Sequence, residues 1–236
     1  MKLSIIIPVF NEEKTVREIL KKVLDVKIDH IEKEVIVVDD GSTDSTKKKL
    51  EEIKYQKIKL IYHKKNSGKG AAVITGIKNS TGDYIIIQDA DLEYNPEYIQ
   101  DLIKPIKEKR AEVVYGTRLK RMPNLGGEEK RLQFLLHYFG NRFLSLITSI
   151  LYGQFITDME TCYKLFPRSA VSSMKLNARG FEFEPEITAK LLKKGYGILE
   201  VPIKTIPRGY DEGKKLNTIR DGSKALWCLF KYRFTN

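Results

Sequence analysis

Two carboxylates one residue apart, Asp89-Ala90-Asp91, follow the apolar run Tyr84-Ile85-Ile86-Ile87 after Gln88. Such a pair at the end of a buried strand suits a hard divalent cation. Mg²⁺ takes one or two carboxylates and fills its shell with phosphate oxygens and water. Glu93 stands two residues further on as a third candidate ligand, direct or through water. The same tripeptide also suits a plain Asx-turn leaving a strand. What favours the metal is company. Glu12 follows a first apolar run, Asp39 and Asp40 a second, Asn66 and Lys69 a third. Four consecutive runs ending in such side chains exceed what turn formation requires. Asp39 and Asp40, before Gly41-Ser42, suit ribose hydroxyls or a base edge, both of which donate to carboxylates; the alternative is a tight turn with an N-cap. Lys64 to Gly70 is basic and contains glycine but lacks the G-x-x-x-x-G-K-[ST] spacing of a P-loop, and no G-x-G-x-x-G follows the first run. A P-loop NTPase and an NAD-binding domain are therefore disfavoured. His30, His63 and His137 have no ligand spacing and suit surface or structural places.

These residues need elements that hold them at one edge. Leu3–Ile7, Val35–Val38, Lys59–His63, Tyr84–Ile87 and Val113–Tyr115 are short apolar runs of the kind buried strands show. Asn11 is the predicted N-cap of a first helix carrying Val16, Ile19, Leu20, Val23 and Leu24 at helical spacing. A polar helix to about Ile53, a small-residue helix Gly70–Lys78 and a helix opened by Pro96 fill the other gaps. This alternation predicts βαβ units and a mainly parallel sheet, and ligands of such sheets bind outside the carboxyl ends of the strands. The second half is less regular. A wide apolar helix face runs from Leu132 to Ile150, a strand is expected at Tyr163–Phe166, a helix at Glu184–Lys194 ended by Gly195, a strand at Ile198–Ile203, and a basic aromatic helix at Leu216–Phe234. Arg118 to Lys130 is expected to be a mobile loop.

The 236 residues suit one large domain or two small ones, with no linker to separate two, and 42 % hydrophobic with 31 % charged residues is a globular composition. A formal net charge of +11 favours polyanionic partners. Nucleic acid is one such partner, but no helix-turn-helix, RNP or zinc pattern accompanies the charge. Two cysteines, Cys162 and Cys228, form no disulfide framework and fit a reducing compartment. The N-terminus has no signal-peptide run, and no stretch reaches the ~18 apolar residues of a membrane span. The nearest, Phe134 to Leu151, contains His137, Asn141 and Arg142.

The set Ile5-Ile6-Ile7-Pro8-Val9-Phe10-Asn11-Glu12, Val37-Val38-Asp39-Asp40-Gly41-Ser42, Asn66-x-Gly68-Lys69-Gly70 and Asp89-Ala90-Asp91 resembles the family 2 glycosyltransferases of GT-A fold. Later segments are similar to the dolichol- or polyprenyl-phosphate mannosyl- and glucosyltransferases within it. These are Tyr115-Gly116-Thr117-Arg118, Asp158 to Phe166, Val201-Pro202-Ile203 and Arg208-Gly-Tyr-Asp-Glu-Gly-Lys214. The resemblance implies an α/β GT-A domain over residues 1–210. A basic amphipathic segment, 211–236, then belongs to the same domain or to a membrane contact. It also implies Pro8, Phe10 and Glu12 on the nucleobase side with Val37, Asp39 and Asp40 beside them. Lys69 and the unit Asp89-Ala90-Asp91 would serve the donor diphosphate and its Mg²⁺ or Mn²⁺. Arg118, Arg208 and Lys214 would face phosphates, and Arg131 would reach an acceptor phosphate. Glu93 stands where many such mannosyltransferases have Gln, and Asp158-Met-Glu-Thr-Cys-Tyr-Lys replaces the more usual Asp-Pro-x-Ser-Gly-Phe-Arg. These departures bear on sugar and nucleobase rather than on reaction class.

The implied activity is inverting transfer of a hexose from a nucleoside diphosphate sugar of the GDP-mannose or UDP-glucose type. A polyprenyl phosphate acceptor is already an anion and calls for the positive charge of Arg118, Arg131 and Arg208. A saccharide or protein hydroxyl acceptor calls for a base, and Asp158 is the candidate, its alternative being to brace the turn before Tyr163. The Leu132–Ile150 face and the Trp227–Phe234 tail suit the interface of a membrane, on its cytoplasmic side, or ordinary packing on the sheet.

Overall fold

Ile5, Ile6 and Ile7 have no exposed surface, because β1 (Lys2–Val9) is paired on both edges and covered on both faces. The computed structural model describes residues 1–53, 58–119, 132–206 and 218–235. β2 (Glu32–Asp39) and β4 (Tyr84–Ile87) flank β1 in parallel, with Ile5 opposite both Val35 and Ile86, and β3 (Ile58–Tyr62) lies outside β2. The helices α1 (Val16–Asp25), α2 (Thr46–Glu51) and α3 (Lys69–Lys78) make the crossovers between these four strands, and α4 (Tyr98–Lys107) leads on to β5 (Val113–Thr117). The run of Ile and Val is what parallel strands buried on both faces require. Each fully buried Ile contributes about 2–3 kcal/mol relative to exposure.

The sheet order is β3-β2-β1-β4-β6-β5-β7. Chain progression reverses between β3 and β4, so β1 and β4 meet at a topological switch point, where open sheets form their ligand crevice. β6 (Lys164–Pro167) is inserted antiparallel between β4 and β5, and β7 (Ile198–Pro202) pairs parallel with β5. The antiparallel direction of β6 matters for function. Its first residue, Lys164, lies at the edge where β4 and β5 end, which brings the preceding loop, 153–163, to the same crevice. The helices α5 (Leu132–Tyr152), α6 (Arg168–Ser172), α7 (Phe183–Lys193) and α8 (Thr218–Phe234) complete the described chain. α8 packs against α5 and α7, and the Tyr152 hydroxyl donates to the Leu229 carbonyl at 2.8 Å.

α7 is followed by Gly195 at φ +83°, the expected helix stop, and the C-terminal stretch is helical as expected. One expectation is corrected. α1 begins at Val16 after Thr15, not at an Asn11 cap. Asn11 instead adopts φ 51°, its amide donates to Ser42 Oγ at 3.0 Å and its Oδ1 accepts the Thr43 amide at 2.8 Å. The left-handed turn, which Asn tolerates, ties the loop after β1 to the loop after β2. Most of the loop expected at 118–130, from 120 onward, lies outside the described residues.

Candidate active site

The crevice at the switch point is built around alternating charges. Lys69, the first residue of α3, places Nζ 2.8 Å from Asp89 Oδ1 and 3.1 Å from Oδ2. The same ammonium lies 3.6 Å from Glu184 Oε1, in the first turn of α7, and faces the Phe181 ring at 5.9 Å. Glu184 Oε2 lies 3.3 Å from Lys164 Nζ. Lys164 has no exposed surface; it donates to the Met159 and Thr161 carbonyls at 2.6 and 2.8 Å and sits 4.2 Å from the centre of the Tyr115 ring. Burial disfavours charge on Lys69, yet the carboxylates of Asp89 and Glu184 hold its pKa well above the usual range. Burial pushes Glu184 up and Lys164 down. Asp91 is pushed up to about 7, by burial first and then by the charges of Asp89 and Glu93.

Arg118, just after β5, forms a two-pronged pair with Asp158. Nε donates to Oδ2 at 2.8 Å, Nη2 to Oδ1 at 2.8 Å, and the Arg118 amide to Oδ2 at 2.9 Å. Asp158 is fully buried, whereas the Arg118 side chain keeps 23 % of its surface exposed. The pair is therefore anchored at the carboxylate and open at the guanidinium. Tyr94 completes this wall: its ring lies 5.8 Å from the Arg118 guanidinium carbon, and its hydroxyl accepts the Cys162 amide at 3.1 Å.

The loops after β1 to β3 form the other wall. Asp39 Oδ1 accepts the Ser42 amide at 3.0 Å and the Ser42 hydroxyl at 2.5 Å. Asp40 accepts the Ser67 amide at 3.0 Å and the Gly68 amide at 2.7 Å, and pairs with His63 Nδ1 at 2.6 Å. Gly68 has φ +98°, and a Cβ there would stand 2.3 Å from the Arg179 carbonyl oxygen, so glycine is required where this loop meets the turn before α7. An open cavity of about 710 Å³ adjoins this loop, lined by residues that include Lys65, Asn66, Arg179 and Lys224 but not Asp89 or Asp91.

Residues 4–174 match the profile described as Glycosyl transferase family 2. The chain belongs to this family. The UDP-N-acetylglucosamine–dolichyl-phosphate N-acetylglucosaminyltransferase of Methanococcus voltae is 32 % identical over 96 % of this chain and 94 % of that protein. The dolichol-phosphate mannosyltransferase of Pyrococcus furiosus is 31 % identical over 98 % of this chain and 64 % of that protein. Among solved structures, glucosyl-3-phosphoglycerate synthase from Mycobacterium tuberculosis, in complex with Mn²⁺, UDP and glucosyl-3-phosphoglycerate, aligns with a TM-score of 0.71. It covers 98 % of this chain and 79 % of that one at 17 % identity, a likeness of GT-A fold.

In this transferase Pro8 and Phe10 are half-buried and Glu12 is 9 % exposed, all at the β1 end, with Asp39 beside them at the β2 end. Ala90 is buried between the two aspartates. Arg131, Arg208 and Lys214 lie outside the described residues. Two assignments are corrected. Val37 has no exposed surface, lying mid-strand between Ile7 and Leu60, and so has no atom to offer a nucleotide. Asp40, 2 % exposed, spends its carboxylate on His63 and the Ser67-Gly68 amides, and thus shapes the loop that carries Lys69. Asp158, expected as either a base or a brace, grips Arg118 with both oxygens, a bracing contact.

The residues at the strand-four end fit a divalent cation of the kind that donor diphosphates carry. Asp91 is crowded by two other carboxylates, an anionic excess that a cation relieves. Glu93, expected as a third ligand directly or through water, is one of the two carboxylates that crowd Asp91. Among the described residues no three His, Cys, Asp or Glu groups converge on one ion position, and in the turn at Leu92 (φ 67°) it is the Glu93 amide that returns to Asp91 Oδ1, at 3.1 Å. Mg²⁺ is usually held by one or two carboxylates with phosphate oxygens and water. Sequence reasoning missed Glu184, Lys164 and Glu160. Glu184 opens a helix, where an acid is ordinarily explained by the helix dipole; the Glu184-Pro-Glu186 alternation after Phe181 and Phe183 was the available signal. Glu160 is pushed up to about 7, by burial first and then by Glu184, and its Oε1 is buried without a hydrogen-bond partner.

Proposed function

We propose that this glycosyltransferase moves a hexose from a nucleoside diphosphate sugar, of the GDP-mannose or UDP-glucose type, to a polyprenyl or dolichyl phosphate, with inversion at the anomeric carbon. The observation that carries the reading is the Arg118–Asp158 pair. A hydroxyl acceptor requires a general base, and the carboxylate expected to serve as one is engaged on both oxygens. A phosphate monoester is ionised near neutral pH and is its own nucleophile. What it needs is positive charge at its approach, and Arg118, anchored behind and exposed in front, supplies it. The names of the Methanococcus and Pyrococcus relatives, both dolichyl-phosphate transferases, support the same acceptor. The first of them brings UDP-N-acetylglucosamine into the donor class to be tested.

In the proposed step an acceptor phosphate oxygen bonds to the anomeric carbon as the bond from that carbon to the donor diphosphate breaks, and the nucleoside diphosphate leaves. Asp89 and Asp91 are the residues to hold Mg²⁺ or Mn²⁺, which when bound supplies Lewis-acid stabilisation of the leaving diphosphate. Lys69 adds a fixed positive charge at the same edge. Pro8, Phe10, Glu12 and Asp39 receive the nucleoside, and Arg131, Arg208 and Lys214 join Arg118 on phosphates. Residues 1–210 act as the transferase domain with 211–236 as its basic C-terminal part. The protein works as a peripheral enzyme on the cytoplasmic membrane face, a reading supported by its charge of +11 and two buried free thiols.

The test is a panel of GDP-mannose, UDP-glucose and UDP-N-acetylglucosamine offered with a polyprenyl phosphate and with the matching polyprenol, read by mass spectrometry of the lipid. The reading expects product from the phosphate alone. Equal rates with the two lipids, or product only from soluble saccharides, would replace it with a hydroxyl-directed family 2 transferase.

A further inference from the structure

Helix α5 carries more apolar surface than its own domain covers: Leu144 is buried in the core and Ile147 and Leu151 pack against it, yet a second apolar row faces out. Leu136, Phe139, Phe143, Leu146 and Ile150 are 53–70 % exposed, while Ser145 and Thr148 are 0–1 % exposed. The exposed residues follow one another at intervals of three, four, three and four, so they form one straight stripe roughly 21 Å long. The buried hydroxyls have local work: Ser145 Oγ accepts the Met159 amide at 2.9 Å and Thr148 Oγ1 donates to the Leu144 carbonyl at 2.8 Å. Ser145, beside the buried Leu144, therefore holds the loop that carries Asp158, while a second apolar row of α5 faces out.

α8, packed against α5, does the same on a smaller scale. Ala225, Cys228, Leu229 and Tyr232 are buried, whereas Trp227 is 70 %, Phe230 41 % and Phe234 81 % exposed. By helical geometry Lys224 and Lys231, both exposed, share the face of these aromatics. Phe155, after α5, is 75 % exposed. Nine large apolar side chains on two adjoining helices and the turn beyond α5 make an exposed group of the kind that marks a binding surface.

We propose that the outward faces of α5 and α8 dock on an anionic bilayer surface. The apolar stripes enter the boundary between headgroups and acyl chains, and Arg142, Lys224, Lys231 and Arg233 lie among lipid phosphates. Charge selects this occupant over a second copy of the chain. Self-pairing through these faces would bring the same basic side chains together in a protein of net charge +11, whereas anionic headgroups neutralise them. Aromatic residues beside Lys and Arg on one helix face are what an interfacial helix needs, ring at the boundary and cation in the headgroups. No helix among the described residues is long and apolar enough to cross a membrane, so contact is through the surface. The inference rests on the lipid-phosphate reading for its biological sense, but its test involves no transfer.

Trp227 is the only tryptophan, so its emission reports α8 directly. The intact protein is mixed with phosphatidylcholine vesicles containing about 30 % phosphatidylserine, and flotation and Trp227 emission are measured. Flotation with the anionic vesicles, a blue shift, and weaker binding in pure phosphatidylcholine or high salt are expected. The triple variant Phe139→Gln, Phe143→Gln, Ile150→Gln changes exposed positions only. It should keep its circular dichroism melting curve and its UDP or GDP affinity while losing vesicle binding at least tenfold. A wild-type protein that stays with the buffer, binding unaffected by the triple variant, or a wild-type dimer in light scattering that the variant makes monomeric would each overturn the proposal. Vesicle binding without transfer to polyprenyl phosphate would overturn the acceptor assignment instead and leave the docking face standing.

Discussion

If Asp158 positions Arg118, removing its charge is first a structural injury. Asp158→Ala leaves a largely covered guanidinium and the Arg118 amide facing an apolar methyl. Breaking one side of a buried pair costs about 3–5 kcal/mol, because the remaining charge is uncompensated. Asp158→Asn keeps one acceptor oxygen but turns an NH₂ toward an Arg118 donor, so one prong survives and the cost falls to roughly 2–3 kcal/mol. Arg118→Met should cost as much as Asp158→Ala, since it strands a carboxylate with no exposed surface. The double variant Asp158→Ala, Arg118→Met removes both charges and should lose less than the two singles summed, with a coupling of about 2–3 kcal/mol. The assay is denaturant unfolding of the four variants at unchanged slope, beside steady-state transfer to polyprenyl phosphate. Asp158→Asn should retain measurable transfer with an unchanged pH profile on its acid side. A variant as stable as the parent whose kcat falls by ~10³ or more, with loss of an acid-side limb, would mean that Asp158 is a base and that the pairing with Arg118 is incidental.

Asp91→Ala should abolish divalent-dependent turnover without lowering the melting temperature, since a half-buried residue at the sheet rim carries little packing and its crowded carboxylate is removed; full activity of the variant in EDTA would remove the metal assignment. Lys69→Met should tighten Mn²⁺ binding in the absence of nucleotide, seen by electron paramagnetic resonance titration, because the cation that neutralises Asp89 is gone; unchanged affinity would show that Lys69 does not shield the site. Glu34, held down to about 2 by bonds from Ser4, Thr81 and Lys2 that outweigh its burial, gives stability that is complete above pH 4.5 and lost as pH falls toward 2. Glu34→Gln should flatten that acid limb and cost about 1–2 kcal/mol after solvent screening of a partly exposed group. Glu160 has the opposite sign: its folded pKa is raised from 4.5 to about 7, so stability falls as pH rises across that window, and Glu160→Gln should melt higher than the parent at pH 8 but not at pH 4.

The first half of the chain was legible because parallel strands buried on both faces leave continuous Ile and Val runs, and the residue where each run stops is where ligands gather. Asp89, Asp91 and Lys69 could be found that way. Their mutual arrangement could not. The Lys69–Asp89 contact joins two crossovers, Lys164 arrives because β6 runs antiparallel, which no local pattern in four residues announces, and Glu184 comes from α7, far along the chain. Asp39 and Asp40 show the limit at its sharpest. Adjacent and alike in sequence, they point to opposite sides of the β2 end, one toward Ser42 and the other into the Ser67-Gly68 turn. For α5 the periodicity revealed a wide apolar face, but not which part of the helix meets the core. Leu144 turned inward together with the small hydroxyls of Ser145 and Thr148, while a second row of large apolar residues stayed out.

The buried charges make better sense as preorganisation than as stability. Asp89, Lys69, Glu184 and Lys164 alternate in sign across β4, α3, α7 and β6 at separations of 2.8, 3.6 and 3.3 Å. Replacing such a chain with well-packed apolar residues is often neutral or stabilising, so its contribution to ΔG is weak grounds for keeping it. What it supplies is a fixed potential at the strand ends. Lys69 cannot drift into solvent, because two carboxylates hold it from different elements, and Lys164 ties one of those carboxylates to the loop bearing Asp158. That loop fixes Arg118. A diphosphate leaving on one side and an anion approaching on the other would thus meet cations already in place, with little reorganisation left to the moment of reaction.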